Sequence, residues 1–316
     1  MLCLCFGTSG SIITILFEEM RDDRIILDLH THTQYSYDAE ARPVIDHVQH
    51  AVQKGVSILG FTEHVEFFRK DSIQASDFAS GTVDFVGYQK EIEPFRTGRT
   101  IMPDLASEQK DIFAAQEVYG EQITLRAGVE IGQPHAVPEQ ARALIQTYPF
   151  DYVIGSIHQL SDDMDLYFYR YETIHPDEFW EKYFAEVREL LAFGHIQILA
   201  HLDYPLRVMK LPHNQPSLKG YMNYVDEVLK LLIAKDIALE SNTKGLYGWQ
   251  QEVGPEAFVL TRYRELGGEL ITVGSDSHAP ETVARGIPRA LERLRAAGFR
   301  AVTDFENKNI IQHAIA

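Results

Sequence analysis

Short apolar runs recur along this chain, and each is followed by a longer stretch of helical periodicity. The runs are "RIILDLH", "VSILGFTEH", "ITLRAGVE", "DYVIGSIH", "IQILAHLD", "DIALESN" and "ELITVGSD". Helical patterns lie between and after them, around residues 43–54, 84–118, 136–147, 177–193, 217–235, 255–266 and 281–297. Such alternation predicts a parallel sheet with crossover helices. The runs are apolar at nearly every position, as expected of strands covered on both faces. Seven units of this kind fit a closed or nearly closed (β/α) barrel better than an open sheet.

The polar residues in these runs fall at their ends. His30 and His32 close the first, His64 the second, Glu130 the third, His158 the fourth and His201 the fifth, and Asp276 and His278 end the last. Residues i and i+2 of a strand point to one face, so "HTH" presents two imidazoles to one point and "GSDSH" repeats the arrangement. The HxH motif alone is weak evidence. Recurrence at the C-terminal ends of strands is much stronger, because the βα loops of a barrel converge there to form its site. Asp38, six residues after His32, adds a further donor. Six histidines, two aspartates and one glutamate exceed what a single tetrahedral zinc takes and suit two or three metals. Mixed nitrogen and oxygen donors without cysteine suit Zn, Mn or Fe.

Each residue also has a bland reading. A lone buried histidine such as His158 is commonly a hydrogen-bonded core residue, and Asp38 suits a turn or a helix N-terminus. Glu130 lies in a mostly apolar strand, where an unpaired carboxylate is costly. His47 and His50, one helical turn apart, read as a solvated helix face, and His135, His175, His195, His213 and His313 have no strand-end placement. No GxSxG elbow, GxxxxGK[ST] loop or GxGxxG occurs, and the only cysteines, Cys3 and Cys5, lie far from the candidate site in sequence. Covalent nucleophilic catalysis has no support in the chain, whereas water activated by metal does.

A formal charge of −17 over 316 residues argues against general nucleic-acid binding. It does not argue against a small anionic substrate, because bound cations dominate the local field. Two N-terminal cysteines imply no disulfide framework and point to the cytoplasm. The opening "MLCLCFGTSGSIITILFEEM" lacks a basic flank and is interrupted at Gly7–Ser11, so neither a signal peptide nor a membrane span is expected. Residues 1–23 read as an extension, disordered or preceding the true start, with Met20 just ahead of the first strand. Residues 24–316 read as a single domain.

Taken in order, HTH, FTEH, GVEIG, GSIH, AHLD and GSDSH resemble the polymerase and histidinol phosphatase (PHP) superfamily from about Ile25 to Phe305. "FTEHVEFF", "FDYVIGSIH", "AHLDYPLR", "ALESNTKGL" and "RELGGELITVGSDSHAPETV" resemble its histidinol-phosphatase branch. The resemblance implies a distorted (β/α)7 barrel with a three-metal centre that hydrolyses L-histidinol phosphate in histidine biosynthesis. It groups His30, His32, Glu130 and Asp276 around one metal, with Glu130 bridging to a second held by His158 and His201. Asp38, His64 and His278 would hold the third. The attacking hydroxide would be held through Glu130, His158 and His201. Arg207 matches a phosphate-binding arginine of the family, and Lys182 or Arg170 would supply a second basic contact. The expected partner is a small phosphorylated substrate, with no nucleic acid and no membrane. Other phosphomonoesters, nucleotides among them, and a non-catalytic scaffold are the rival readings.

Overall fold

The computed structural model describes residues 25–67, 100–160, 165–168, 171–209 and 216–315, together with the backbone of residues 2–6 and 12–16. Among the described residues the sequence-predicted strands all form. They are β3 (Leu27–Asp28), β4 (Ile58–Phe61), β6 (Thr124–Gly132), β7 (Tyr152–Ser156), β8 (Ile198–Leu199), β9 (Ala238–Asn242) and β10 (Ile271–Gly274). A short β5 (His64–Glu66) continues β4 after two residues and pairs with the same neighbour, β6. The strands run parallel in the order β3, β4, β6, β7, β8, β9, β10. The seam is bridged as well. The Leu29 amide donates to the Val273 carbonyl at 3.0 Å, that of Asp276 to His30 at 2.8 Å and that of His32 to Ser277 at 2.7 Å. This is the distorted seven-stranded barrel that the pattern predicts.

Helices α1 (Val44–Gln53), α2 (Leu105–Tyr119), α3 (Pro138–Thr147), α4 (Pro176–Phe193), α6 (Met222–Lys235), α7 (Ala257–Glu265) and α8 (Ile287–Ala296) follow the expected spacing, and a short α5 (Tyr204–Val208) lies outside the predicted patterns. The predicted helix over 84–118 is realised from Leu105 onward, and residues 84–99 lie outside the described residues. Each long helix buries one stripe. In α4 that stripe is Phe179, Trp180, Tyr183, Phe184, Val187, Leu190 and Leu191, each fully buried side chain contributing roughly 1.5–3 kcal/mol. His47 lies on the equivalent stripe of α1 with Val44, Val48 and Ala51 and is fully buried. The expectation that it faces solvent is corrected: its i+3 spacing from Val44 turns it inward, while His50 stays partly exposed.

Inside the barrel, Tyr152 is fully buried and donates its hydroxyl to the Leu29 carbonyl at 2.8 Å. Its ring occupies the space that side chains at Gly60 and Gly128 would need, so those two positions admit only glycine without rearrangement. Beneath the barrel strands lies a feature absent from the sequence reading, a hairpin of β11 (Ala301–Glu306) and β12 (Asn309–Ala314). The Lys308 amide donates to the Asp151 carbonyl at 2.7 Å, which ties the hairpin to the start of β7. Strands β1 (Leu2–Phe6) and β2 (Ile12–Leu16) pair with each other, and β2 joins β12 at Thr14 and Ile311. These ten residues form strands outside the barrel sheet, a conformation that β-branched "IITIL" favours.

Candidate metal centre

The mouth of the barrel gathers all nine predicted donors. Glu130, fully buried near the end of β6, sits at the middle. Its Oε2 lies 3.1 Å from His30 Nε2, 3.0 Å from His64 Nδ1 and 3.5 Å from His32 Nε2. Its Oε1 lies 3.0 Å from His201 Nε2 and 3.3 Å from His158 Nε2. His278 Nε2 stands 3.1 Å from Asp38 Oδ2, and His64 Nε2 lies 3.6 Å from the same oxygen. Donor atoms fall within 4.8 Å of one another in four sets: His32, His64 and His278; His30, His32 and Glu130; His30, His201 and Asp276; and His64, Glu130 and His158. His64 thus stands between two groups, with Nδ1 towards Glu130 and Nε2 towards Asp38.

The donor set fits divalent cations. Buried polar atoms are ordinarily hydrogen-bonded. Among the described residues His32 Nε2, Asp38 Oδ1 and His64 Nδ1 are buried with no hydrogen-bond partner, and all three belong to the cluster. The His64–Glu130 approach is close without hydrogen-bond alignment, as expected of two lone pairs aimed at one ion. The charge balance says the same. Burial disfavours the imidazolium form of His158, yet Glu66 and Glu130 push its pKa up to about 10. Burial opposes the charge on Asp276, but His30, Lys244 and Arg207 hold its pKa well below the usual carboxylate range. His32 moves the opposite way: burial, then His64, His278 and His30, drive it well below a normal histidine. The carboxylates call for positive charge, which favours the imidazolium forms of His30, His64 and His158 and which bound cations would supply in their place, whereas His32 resists protonation.

Neighbouring carboxylates orient the donors. His30 Nδ1 lies 2.6 Å from Glu240 Oε1, and His158 Nδ1 lies 2.7 Å from Glu66 Oε1. A proton held on each Nδ1 by its glutamate leaves Nε2 free for a metal. Glu66 in turn depends on Gly132, where any Cβ would collide with its carboxylate. Gln133, next in the chain at φ 50°, accepts the His158 and Gln159 amides through Oε1 and donates to Glu66 Oε2. Asp276 adopts φ 54°, a left-handed conformation costing roughly 1–3 kcal/mol and typical of functional positions.

A cavity of about 410 Å³ opens on this cluster. Arg207 of α5 lines it and donates from Nη1 to Asp276 Oδ2 at 2.8 Å, while its Nε and Nη2 have no partner among the described residues. Lys182 is exposed on α4 and absent from the cavity lining, and Arg170 lies outside the described residues. The second basic group in the lining is Lys244, whose Nζ lies 2.8 Å from the Asp276 carbonyl and 2.9 Å from His278 Nδ1. Sequence reasoning missed Lys244, Glu240, Glu66 and Asp165. Signals existed for two of them: Glu66 follows His64 at i+2, and Glu240 sits two residues before the end of a strand run.

Residues 28–244 match the PHP domain family, well over half of the chain, and the chain belongs to that family. It is similar to a protein of Clostridium acetobutylicum named "probable histidinol-phosphatase", 28% identical over 293 residues that cover 92% of this chain and 100% of the relative. A histidinol-phosphatase of Lactococcus lactis is 27% identical over 291 residues, covering 90% and 96% of the two chains. The fold resembles the crystal structure of histidinol phosphate phosphatase from Lactococcus lactis in complex with zinc, L-histidinol and phosphate. That match has a TM-score of 0.73 and 24% identity, and spans 91% of this chain and 98% of the other. Among the described residues no helix is long and apolar enough to cross a membrane.

Proposed function

We propose that this protein is a metal-dependent phosphomonoesterase that hydrolyses L-histidinol phosphate to L-histidinol and phosphate. The observation that carries the chemistry is Glu130, reached by His30, His64, His158 and His201 within 3.3 Å at the floor of a cavity that also holds Arg207 and Lys244. Relatives of that activity aligned over nearly the whole chain support the substrate.

His30, His32, Glu130 and Asp276 would hold one cation, Glu130 with His158 and His201 a second, and Asp38, His64 and His278 a third. Zinc, iron and manganese all suit these donors. Such cations supply Lewis acidity to phosphoryl oxygens and lower the pKa of water towards neutrality. The chain's own residues do the rest. Glu130 offers one oxygen to each of two donor groups, Glu66 and Glu240 keep His158 and His30 in the required tautomer, and Arg207 holds the phosphate through its planar fork. Lys244 takes the second phosphate contact in place of Lys182. The cysteine content favours the cytoplasm.

The test is a panel of L-histidinol phosphate, nucleoside monophosphates and glycerol 3-phosphate, read by released phosphate before and after chelation. The reading expects L-histidinol phosphate to be preferred and chelation to remove activity reversibly. A nucleotide hydrolysed faster, or full activity without metal, overturns it.

A further inference from the structure

The cavity has two chemical characters. The donor cluster, Arg207 and Lys244 form one part, and the rest of the lining includes Asp165, Tyr37, Tyr167 and Tyr204. Asp165 belongs to none of the four donor sets. It is only 5% exposed, yet it lines the cavity. Its Oδ1 accepts the Tyr167 amide at 2.7 Å, and its Oδ2 has no hydrogen bond among the described residues. Among the described residues no permanent cation neutralises it: Arg207 bonds Asp276, and Lys244 bonds the Asp276 carbonyl and His278. The imidazole it senses most, His158, is already engaged with Glu66 through Nδ1 and faces Glu130 and His201 through Nε2.

The mounting is firm. Gln159 and Asp165 form a β-bridge, and the Leu166 amide donates to the His158 carbonyl at 2.8 Å. Gln133 holds the amides of His158 and Gln159. A buried carboxylate kept open to a cavity without a counter-charge is costly in the empty protein, and an incoming cation offsets that cost. The tyrosines that line the same cavity add attraction for an organic cation.

We infer that Asp165 is a specificity-determining residue that binds a positively charged group, an ammonium or imidazolium, on the alcohol part of the phosphomonoester. The inference rests on the phosphatase reading above and deepens it: one part of the cavity takes the phosphate, and Asp165 selects esters whose alcohol carries a cation.

The experiment measures kcat/KM of the metal-loaded wild-type protein and of Asp165→Asn on three esters: L-histidinol phosphate, O-phosphoethanolamine and glycerol 3-phosphate. Losing a charge-assisted hydrogen bond in a buried site should lower the ratio of cationic to neutral ester by about 10- to 100-fold. A second measurement uses L-histidinol phosphate acetylated on its amine. The wild type should lose a comparable factor on acetylation and the variant much less, because the two changes remove the same contact. That cycle retains its meaning if the variant is partly misfolded, since each ratio is taken within one protein. An unchanged ratio overturns the inference, as does an equal slowing of all esters, which would mark a catalytic proton donor instead. If L-histidinol phosphate is a poor substrate while Asp165→Asn still abolishes a preference for phosphoethanolamine, the substrate reading fails and this inference stands.

Discussion

One strand, β6, carries two buried charged residues four positions apart, and they live in opposite circumstances. Arg126, near its start, is paired on nearly every side. Its guanidinium donates to Asp304 from Nε and Nη2, the latter at 2.9 Å, and from Nη1 to Glu306 at 2.8 Å. Asp304 also accepts the Phe305 amide and lies 3.4 Å from His313. Glu130, about 13 Å further along the same face of the strand, sits among imidazoles, with unsatisfied atoms on His32, Asp38 and His64 around it. The lesson lies in the pairing. A buried charge whose partners all come from the protein holds the C-terminal hairpin to the barrel. A buried cluster that leaves atoms unpaired is built to receive something.

That contrast is open to experiment. The largest effect is expected at the open end. Glu130→Gln removes the charge that two donor groups share, so metal content and turnover should fall together, the latter by about 10²- to 10³-fold. Metal analysis beside steady-state kinetics checks it, and a variant with full metal and normal turnover would break the comparison. At the closed end, Arg126→Ala leaves Asp304 buried without its cation. Urea unfolding should show a loss of about 3–5 kcal/mol, while kcat/KM of the folded protein stays unchanged because Arg126 touches no cavity residue.

A smaller effect sharpens the picture of the open end. Arg207→Lys keeps the charge but loses the fork, so metal stoichiometry should hold while kcat/KM drops about tenfold. A fall in metal content instead would make Arg207 a support for Asp276 rather than a contact for phosphate. The smallest effect belongs to the N-terminus. Removing residues 1–19 takes away no donor and only strands that pair beyond the barrel, so kcat/KM should be unaltered; an inactive or insoluble truncation would show that β1 and β2 are part of the working fold.

Hydrophobic periodicity by itself determined the seven strands, the crossover helices and the edge at which the donors gather. Strand alternation and strand-end position are local properties, so His30, His32, His64, Glu130, His158, His201, Asp276 and His278 were legible one motif at a time. What only the tertiary structure decided concerns residues whose roles depend on distant partners. Lys244 becomes a cavity cation because the barrel brings β9 beside β10, placing it on His278 and the Asp276 carbonyl. Glu66 and Glu240 become orienting groups because they meet His158 and His30 across 92 and 210 residues of chain. Lys182 looked eligible by its place after the fourth strand, yet the helical turn points it to solvent. Asp165 carries no motif at all; it is set apart by burial without a counter-charge among the described residues, a property of the space around a residue rather than of its neighbours in sequence.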